Sequence, residues 1–181
     1  MLSPQEAAPS EITFPQAIAL TKSLLSRIEA GELSPGEIEA AIAELVKTED
    51  GARGFFVTYL TSDLTLADNP APEVVRALQS SPEIVAELLV KNLAMSATMA
   101  FTHRRNGNED IAQGSDRVRE RTARLIELVD LPAVREVAQN LLENAATGEG
   151  RYKVFLQQRG YDAEQRQVMC KALQEVVPEK Q

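Results

Sequence analysis

Apolar residues recur along most of this chain at every third or fourth position, the spacing that gathers one face of an α-helix. Ile18, Thr21, Leu25 and Ile28 share such a face ahead of Gly31. Ile38, Ile42 and Leu45 mark a second helix. Val134, Val137, Leu141 and Ala145 mark a later one, and Val168, Ala172 and Val176 the last. A longer face repeats from Ile111 through Val118, Thr122, Leu125 and Val129. The segment from Pro82 to about Arg105 departs from this pattern. Between Leu93 and Phe101 it is apolar nearly all round, which predicts the central helix of a bundle.

Starts and stops agree with the periodicity. Thr13 precedes Pro15, and Ser34-Pro35-Gly36-Glu37 has the form of a capping box. Ser81-Pro82-Glu83, Asn108 before Glu109 and Asp110, and Asp162 are further expected caps. Residues 62–71, with Asp63, Asp68, Asn69 and Pro70, read as a loop. Short helices are expected over Pro72–Gln79 and Arg151–Arg159, and Pro178 marks the end of the last helix. Asn106-Gly107-Asn108 should fold the two longest helices into an antiparallel hairpin. From Asp50 to about Thr61 the alternation of Phe55, Val57 and Tyr59 also fits a strand. Helix is preferred there because no other segment offers a strand to pair with. The expected architecture is an all-α, single-domain bundle of about eight helices over residues 13–178, after a frayed tail over 1–12. Gly51-Ala52-Arg53 and Gly148 to Arg151, each followed by an Ala-Leu-Gln helix, give a faint internal echo.

Composition narrows the classes. Hydrophobic residues make up 44% and charged residues 25%, a globular rather than a disordered balance. Aromatic residues are 4% and Trp is absent, so the core must be aliphatic. A formal net charge of -8 argues against nucleic acid as the partner, because phosphate neutralisation supplies most of that affinity. A local basic patch stays compatible with it. Cys170 is the only cysteine, which excludes an intramolecular disulfide and fits a reducing, cytoplasmic setting. Met1 to Thr13 lacks the features of a signal peptide. The most apolar stretch, Ile84 to Phe101, is interrupted by Glu87, Lys91 and Asn92, so no membrane insertion is expected.

No nucleotide-binding, zinc-binding or nucleophile-elbow motif occurs. One His and one Cys cannot build an imidazole or thiolate metal site. No catalytic residue, cofactor or metal ligand is therefore assigned. The candidates are surfaces. His103, Arg104 and Arg105 close the central helix, where cations are favoured by the dipole and where they would also form an anion pocket. Arg117, Arg121 and Arg124 fall along one side of the next helix, either as a solvated face laced with ion pairs or as a docking strip for an acidic partner. Arg53, Phe55 and Tyr59 cluster beside two glycines, as core or as a partner groove. Met95 and Met99 read as core filling, and Asn92 as the best polar residue for a pocket.

The segment Gly51-Ala-Arg-Gly-Phe-Phe-Val-Thr-Tyr-Leu60, followed by the long apolar helix and His103-Arg104-Arg105, resembles small conserved helical proteins of photosynthetic bacteria. The resemblance spans residues 50–125. It implies a bacterial cytoplasmic setting and brings no assigned activity or catalytic residues. Three functions follow from the residues. The first is a non-enzymatic protein-interaction, assembly or regulatory factor with a protein partner of acidic surface, a homodimer being compatible. The second is a small-molecule binder or enzyme with a pocket near Asn92 and His103. The third is a weak nucleic-acid binder through the arginine strip.

Overall fold

The computed structural model describes residues 11–177. The described residues form nine α-helices, one 3-10 turn and no strand: α1 (Phe14–Glu29), α2 (Pro35–Leu45), α3 (Glu49–Thr61), a 3-10 turn (Thr65–Ala67), α4 (Pro72–Gln79), α5 (Pro82–Arg105), α6 (Glu109–Val129), α7 (Pro132–Thr147), α8 (Lys153–Arg159) and α9 (Ala163–Gln174). The expected all-α bundle around one long apolar helix is what forms, and the alternation in α3 belongs to a helix. Residues 1–10 of the expected tail, and Pro178 as a stop, lie outside the described residues.

Local chemistry sets the ends. Thr13, Ser34 and Asp162 each form a full capping box, closed by Gln16, Glu37 and Gln165. Thr48 caps α3 by accepting from Gly51 N at 3.1 Å, one residue earlier than the sequence suggested. Ser81 and Asn108 make no side-chain cap. Their ψ angles are 66° and 67°, short of the extended backbone that turns a capping oxygen toward the first helical N–H groups. At Ser81 only two residues separate α4 from α5, and Pro82 begins the helix without needing that donor.

Helix α5 packs most extensively on α6, then on α9 and α7, with α3 beside them. Two apolar clusters meet on it. One joins α1–α4 and the end of α6 to Val85 and Leu89; the other joins α7, α9 and Tyr152 to Ala86, Val90 and Ala94. An 18-residue window of α5 averages a hydropathy of 1.4, enough by length and composition to cross a bilayer, and 56% of that window is buried within the bundle. Two departures from the expected faces follow. Ile111 is 55% exposed rather than inward. In α9 the buried residues are Gln165, Met169, Ala172 and Leu173, while Val168 is half-buried, as is Val176 just beyond the helix.

The glycines beside Arg53 serve packing. A Cβ on Gly54 would overlap Ala17 Cβ and press on Phe14 O, where α1 crosses α3, and a Cβ on Gly51 would strike Leu45 O. The echo does not hold as structure. Gly51 lies inside α3, whereas Gly148 and Gly150 have φ of +74° and +104° in the turn after α7.

Arg121 is the one buried arginine among the described residues, with its side chain 3% exposed. Its Nη1 donates to Leu60 O at 3.0 Å and Ser62 O at 2.6 Å, and its Nη2 to Leu64 O at 3.3 Å. Nε donates to Asp68 Oδ1 at 2.8 Å. The guanidinium thus satisfies carbonyls that the end of α3 leaves open, and fixes the loop to α4. Tyr59 helps by donating to Leu66 O at 3.2 Å. Arg121→Met should cost roughly 1–3 kcal/mol in urea unfolding, because it leaves the carbonyls of Leu60, Ser62 and Leu64 without their donor. Arg121→Lys should recover only part. A loss below about 1 kcal/mol for the Met variant would show that water replaces the clamp.

Candidate functional site: a groove along the central helix

Helix α5 covers two cores with two of its faces, and a third face stays open. At about 100° per residue, Ile84, Leu88, Lys91, Asn92, Met95 and Met99 fall within roughly a third of the helix circumference. These residues line three adjoining hollows that share members and so form one groove. The middle hollow holds about 320 Å³ and the hollow toward the end of α5 about 510 Å³. One wall is Phe14 with Arg53, Phe56, Val57, Leu60 and Thr61 of α1 and α3. The other is Ile111, Gly114, Arg117 and Val118 of α6, with Phe155 and Arg159 of α8. Val57 and Ile111 are 45% and 55% exposed, which leaves apolar surface on both rims.

Charge is unevenly placed. At the α5 N-terminal end the groove carries Glu49, Glu83 and Glu87 against Lys91 and Arg151. Glu87 is engaged: it accepts from the Tyr152 hydroxyl at 2.7 Å and pairs with Lys91 at 3.2 Å. Burial, then this contact, pushes the Tyr152 hydroxyl well above its usual range. The middle hollow holds Arg53 and Arg159 as well as Glu49, and Arg117 and Arg159 line the hollow toward the other end. Arg53 pairs with Asp50 at 3.3 Å and lies 4.8 Å from the Phe14 ring centre. Arg117 reaches Asp63 at 3.6 Å. Arg159 lies over the Phe155 ring at 5.5 Å and has no carboxylate within ion-pair distance among the described residues.

The sequence candidates separate. Asn92 lines the groove, and its side-chain amide bonds to no described protein group. Met95 and Met99, expected as core, are half-buried and form the floor. Arg53 and Arg117 are on the walls. Phe55 and Tyr59 are core, 0% and 2% exposed, with their rings stacked at 5.1 Å. Arg121 is turned inward, so the expected strip of three keeps only Arg117 and Arg124 at the surface, and Arg124 pairs with Glu127. His103 is half-buried one turn beyond Met99 and outside the lining. Arg104 is held by Glu109 and Asp116, and Arg105 by Asp162 and Glu164. Hydrogen bonding from Arg104 holds the Asp116 carboxyl below its usual range, and that of Asp162 is lowered by Gln165 N and then Arg105. These arginines join α6 and α9 to the end of α5.

Sequence reasoning missed Leu88, Phe155 and Arg159 altogether. The signal for Leu88 was its spacing of seven and eleven from Met95 and Met99. Nothing in the sequence places α8 beside them. Burial pushes the Cys170 thiol up, which makes it a poorer nucleophile. Among the described residues no three His, Cys, Asp or Glu side chains cluster as metal ligands would.

The division of α5 has a measurable consequence. Leu93→Ala, at a site 1% exposed, should cost about 2–5 kcal/mol of unfolding free energy. Ile111→Ala should cost about 0.5 kcal/mol or less. Equal costs in a denaturant titration would contradict the placement of Ile111 on the groove rim.

Neither curated proteins nor solved structures include a match to this chain. The family model described as Uncharacterised conserved protein UCP020893 matches residues 13–176, which takes in every helix that builds the groove. The chain belongs to that family of uncharacterised conserved proteins.

Proposed function

We propose that this chain is a non-enzymatic interaction protein, an assembly or regulatory factor, that takes its protein partner into the groove along α5. The observation that carries the reading is the open third face of α5. A helix in the centre of a bundle has every reason to bury Leu88, Met95 and Met99 fully, and here they floor a groove with apolar rims. Methionines suit such a surface, since an unbranched, polarizable side chain repacks against varied shapes. The groove is long and open, whereas small-molecule sites enclose most of their ligand. His103 stands off the lining, which weakens the pocket reading built on Asn92 and His103.

The hairpin tip and the arginine strip support a nucleic-acid reading poorly. Arg104, Arg105, Arg117, Arg121 and Arg124 each have a carboxylate within 4.0 Å, so little of their charge is left for phosphates. A bacterial cytoplasm remains the proposed setting, on the resemblance and the single cysteine.

A photo-crosslinking amino acid at Val57 or Ile111 tests this, with Val154 as the control. All three are exposed apolar positions, and only the first two line the groove. In native extract the groove positions should give the same discrete protein adduct, competed by unlabelled chain, and Val154 should not. Identical adducts from all three, or none from any, would overturn the assignment.

A further inference from the structure

We infer that the occupant of the groove is an amphipathic helix of a partner protein, acidic at one end of its apolar stripe and basic at the other. This rests on the groove being the interaction surface and goes on to the chemistry of what fills it. The floor residues Ile84, Leu88, Met95 and Met99 extend over 16 residues of α5, 15 steps or about 22 Å, the length of four helical turns. A groove with a helix for its floor and helices for its walls accepts another helix through residues spaced i, i+4, i+7 and i+11.

Charge then selects among such helices. At one end Glu49, Glu83 and Glu87 outnumber Lys91 and Arg151, both of which are drawn to Glu87, at 3.2 and 3.8 Å, so Glu49 and Glu83 have no cation within ion-pair distance among the described residues. Arg159 at the other end has no carboxylate within ion-pair distance among the described residues, and Arg117, which lines the same hollow, holds Asp63 only at 3.6 Å. The Asp63 side chain is 96% exposed, so that pair is readily exchanged for a better one. Glu83 and the Met95 level of Arg159 are about 18 Å apart along α5. A bound helix therefore places a carboxylate over Arg159 and Arg117 and a cation, some twelve residues away on the same stripe, over Glu83 and Glu49. A uniformly acidic partner would be repelled by the glutamate end, and a uniformly basic one by the arginine end. A second copy of this chain would need an exposed helix with both charges flanking an apolar stripe. Its exposed large apolar residues, Leu20, Val57, Ile111 and Val154, lie on four different helices.

The test uses synthetic 16-residue helical peptides with a common leucine stripe and a fluorescent label. One carries carboxylates at one end and lysines at the other; a second mixes the same charges evenly; a third is all lysine. Anisotropy titrations should give the polarised peptide at least tenfold tighter binding than the other two, with affinity falling as salt rises. Arg159→Glu should weaken it at least tenfold, and this exposed residue is expected to leave the circular dichroism spectrum unchanged. A photo-crosslinker at the acidic end of the peptide should mark α6 or α8, and one at the basic end the start of α5 or α3. Equal affinities for all three peptides, indifference to Arg159→Glu, or crosslinks unrelated to the charged ends would overturn the inference. So would dimerisation of the chain that is blocked by a charged substitution at Ile111. If crosslinks from Val57 and Ile111 to a protein persist while the peptides fail, only the helical, charge-polarised occupant is wrong. If those crosslinks are absent too, the interaction reading falls with it.

Discussion

The structure depends on one helix being covered on two sides at once. Helix α5 is apolar around nearly its whole circumference, and water on any large part of it would oppose folding. Val85 and Leu89 are covered by the α1–α4 side together with the end of α6, and Ala86, Val90 and Ala94 by α7 and α9. The second face offers the smaller residues Ala86 and Ala94 to α7 and α9, while the larger Leu89 on the first packs in the cluster that holds Phe55, Phe56 and Leu78. Neither side has another helix to place on the third face. The groove is what two separate coverings leave between them.

Holding those coverings in place falls to charges that at first look functional. Arg121 binds the end of α3 and its following loop to α6, and so ties the wall that carries Thr61 to the wall that carries Val118. Arg104 closes the α5–α6 turn on Asp116, and Arg105 holds the start of α9, where Gln165 also donates to Thr102 at 2.8 Å. The carboxylates of Asp68, Asp116 and Asp162 are all held below their usual range. Their contribution is therefore complete above an unfolded carboxylate pKa of about 3.9 and fades as pH falls through the lower folded values. At the groove, Arg159, Glu49 and Glu83 have no opposite charge within ion-pair distance among the described residues; Arg159 lies over the Phe155 ring, and the two glutamates sit in the first turns of α3 and α5, where the helix dipole favours them.

Much of the fold was legible because its signals are local. Capping boxes at Ser34 and Asp162, prolines at helix starts and the positive-φ glycines after helices all depend on a few neighbouring residues. The site was less legible because it depends on which face of a helix remains uncovered. Periodicity grouped Ile111 with Val118 and Leu125, yet at that end Ala112 is the buried residue and Ile111 lies on the rim of the open groove. Arg121 was read as surface from its type, although it falls three residues after Val118 and four before Leu125, on the buried stripe. That position was the signal, and the carbonyls that satisfy it come from a helix some sixty residues away. Met95 and Met99 show the converse error, apolar residues on the central helix that the two coverings do not reach.

The central claim, that α5 keeps one face for a partner, is tested most directly by the methionine methyl groups. In a spectrum of the chain labelled at methionine Cε, assigned by single Met→Leu substitutions, a soluble paramagnetic agent should broaden Met95 and Met99. It should spare Met169, which is 0% exposed. The charge-polarised peptide should then shift and protect the first two without moving the third. If Met95 and Met99 are as shielded as Met169 in the free chain, the third face is already covered, and the account of the groove is wrong.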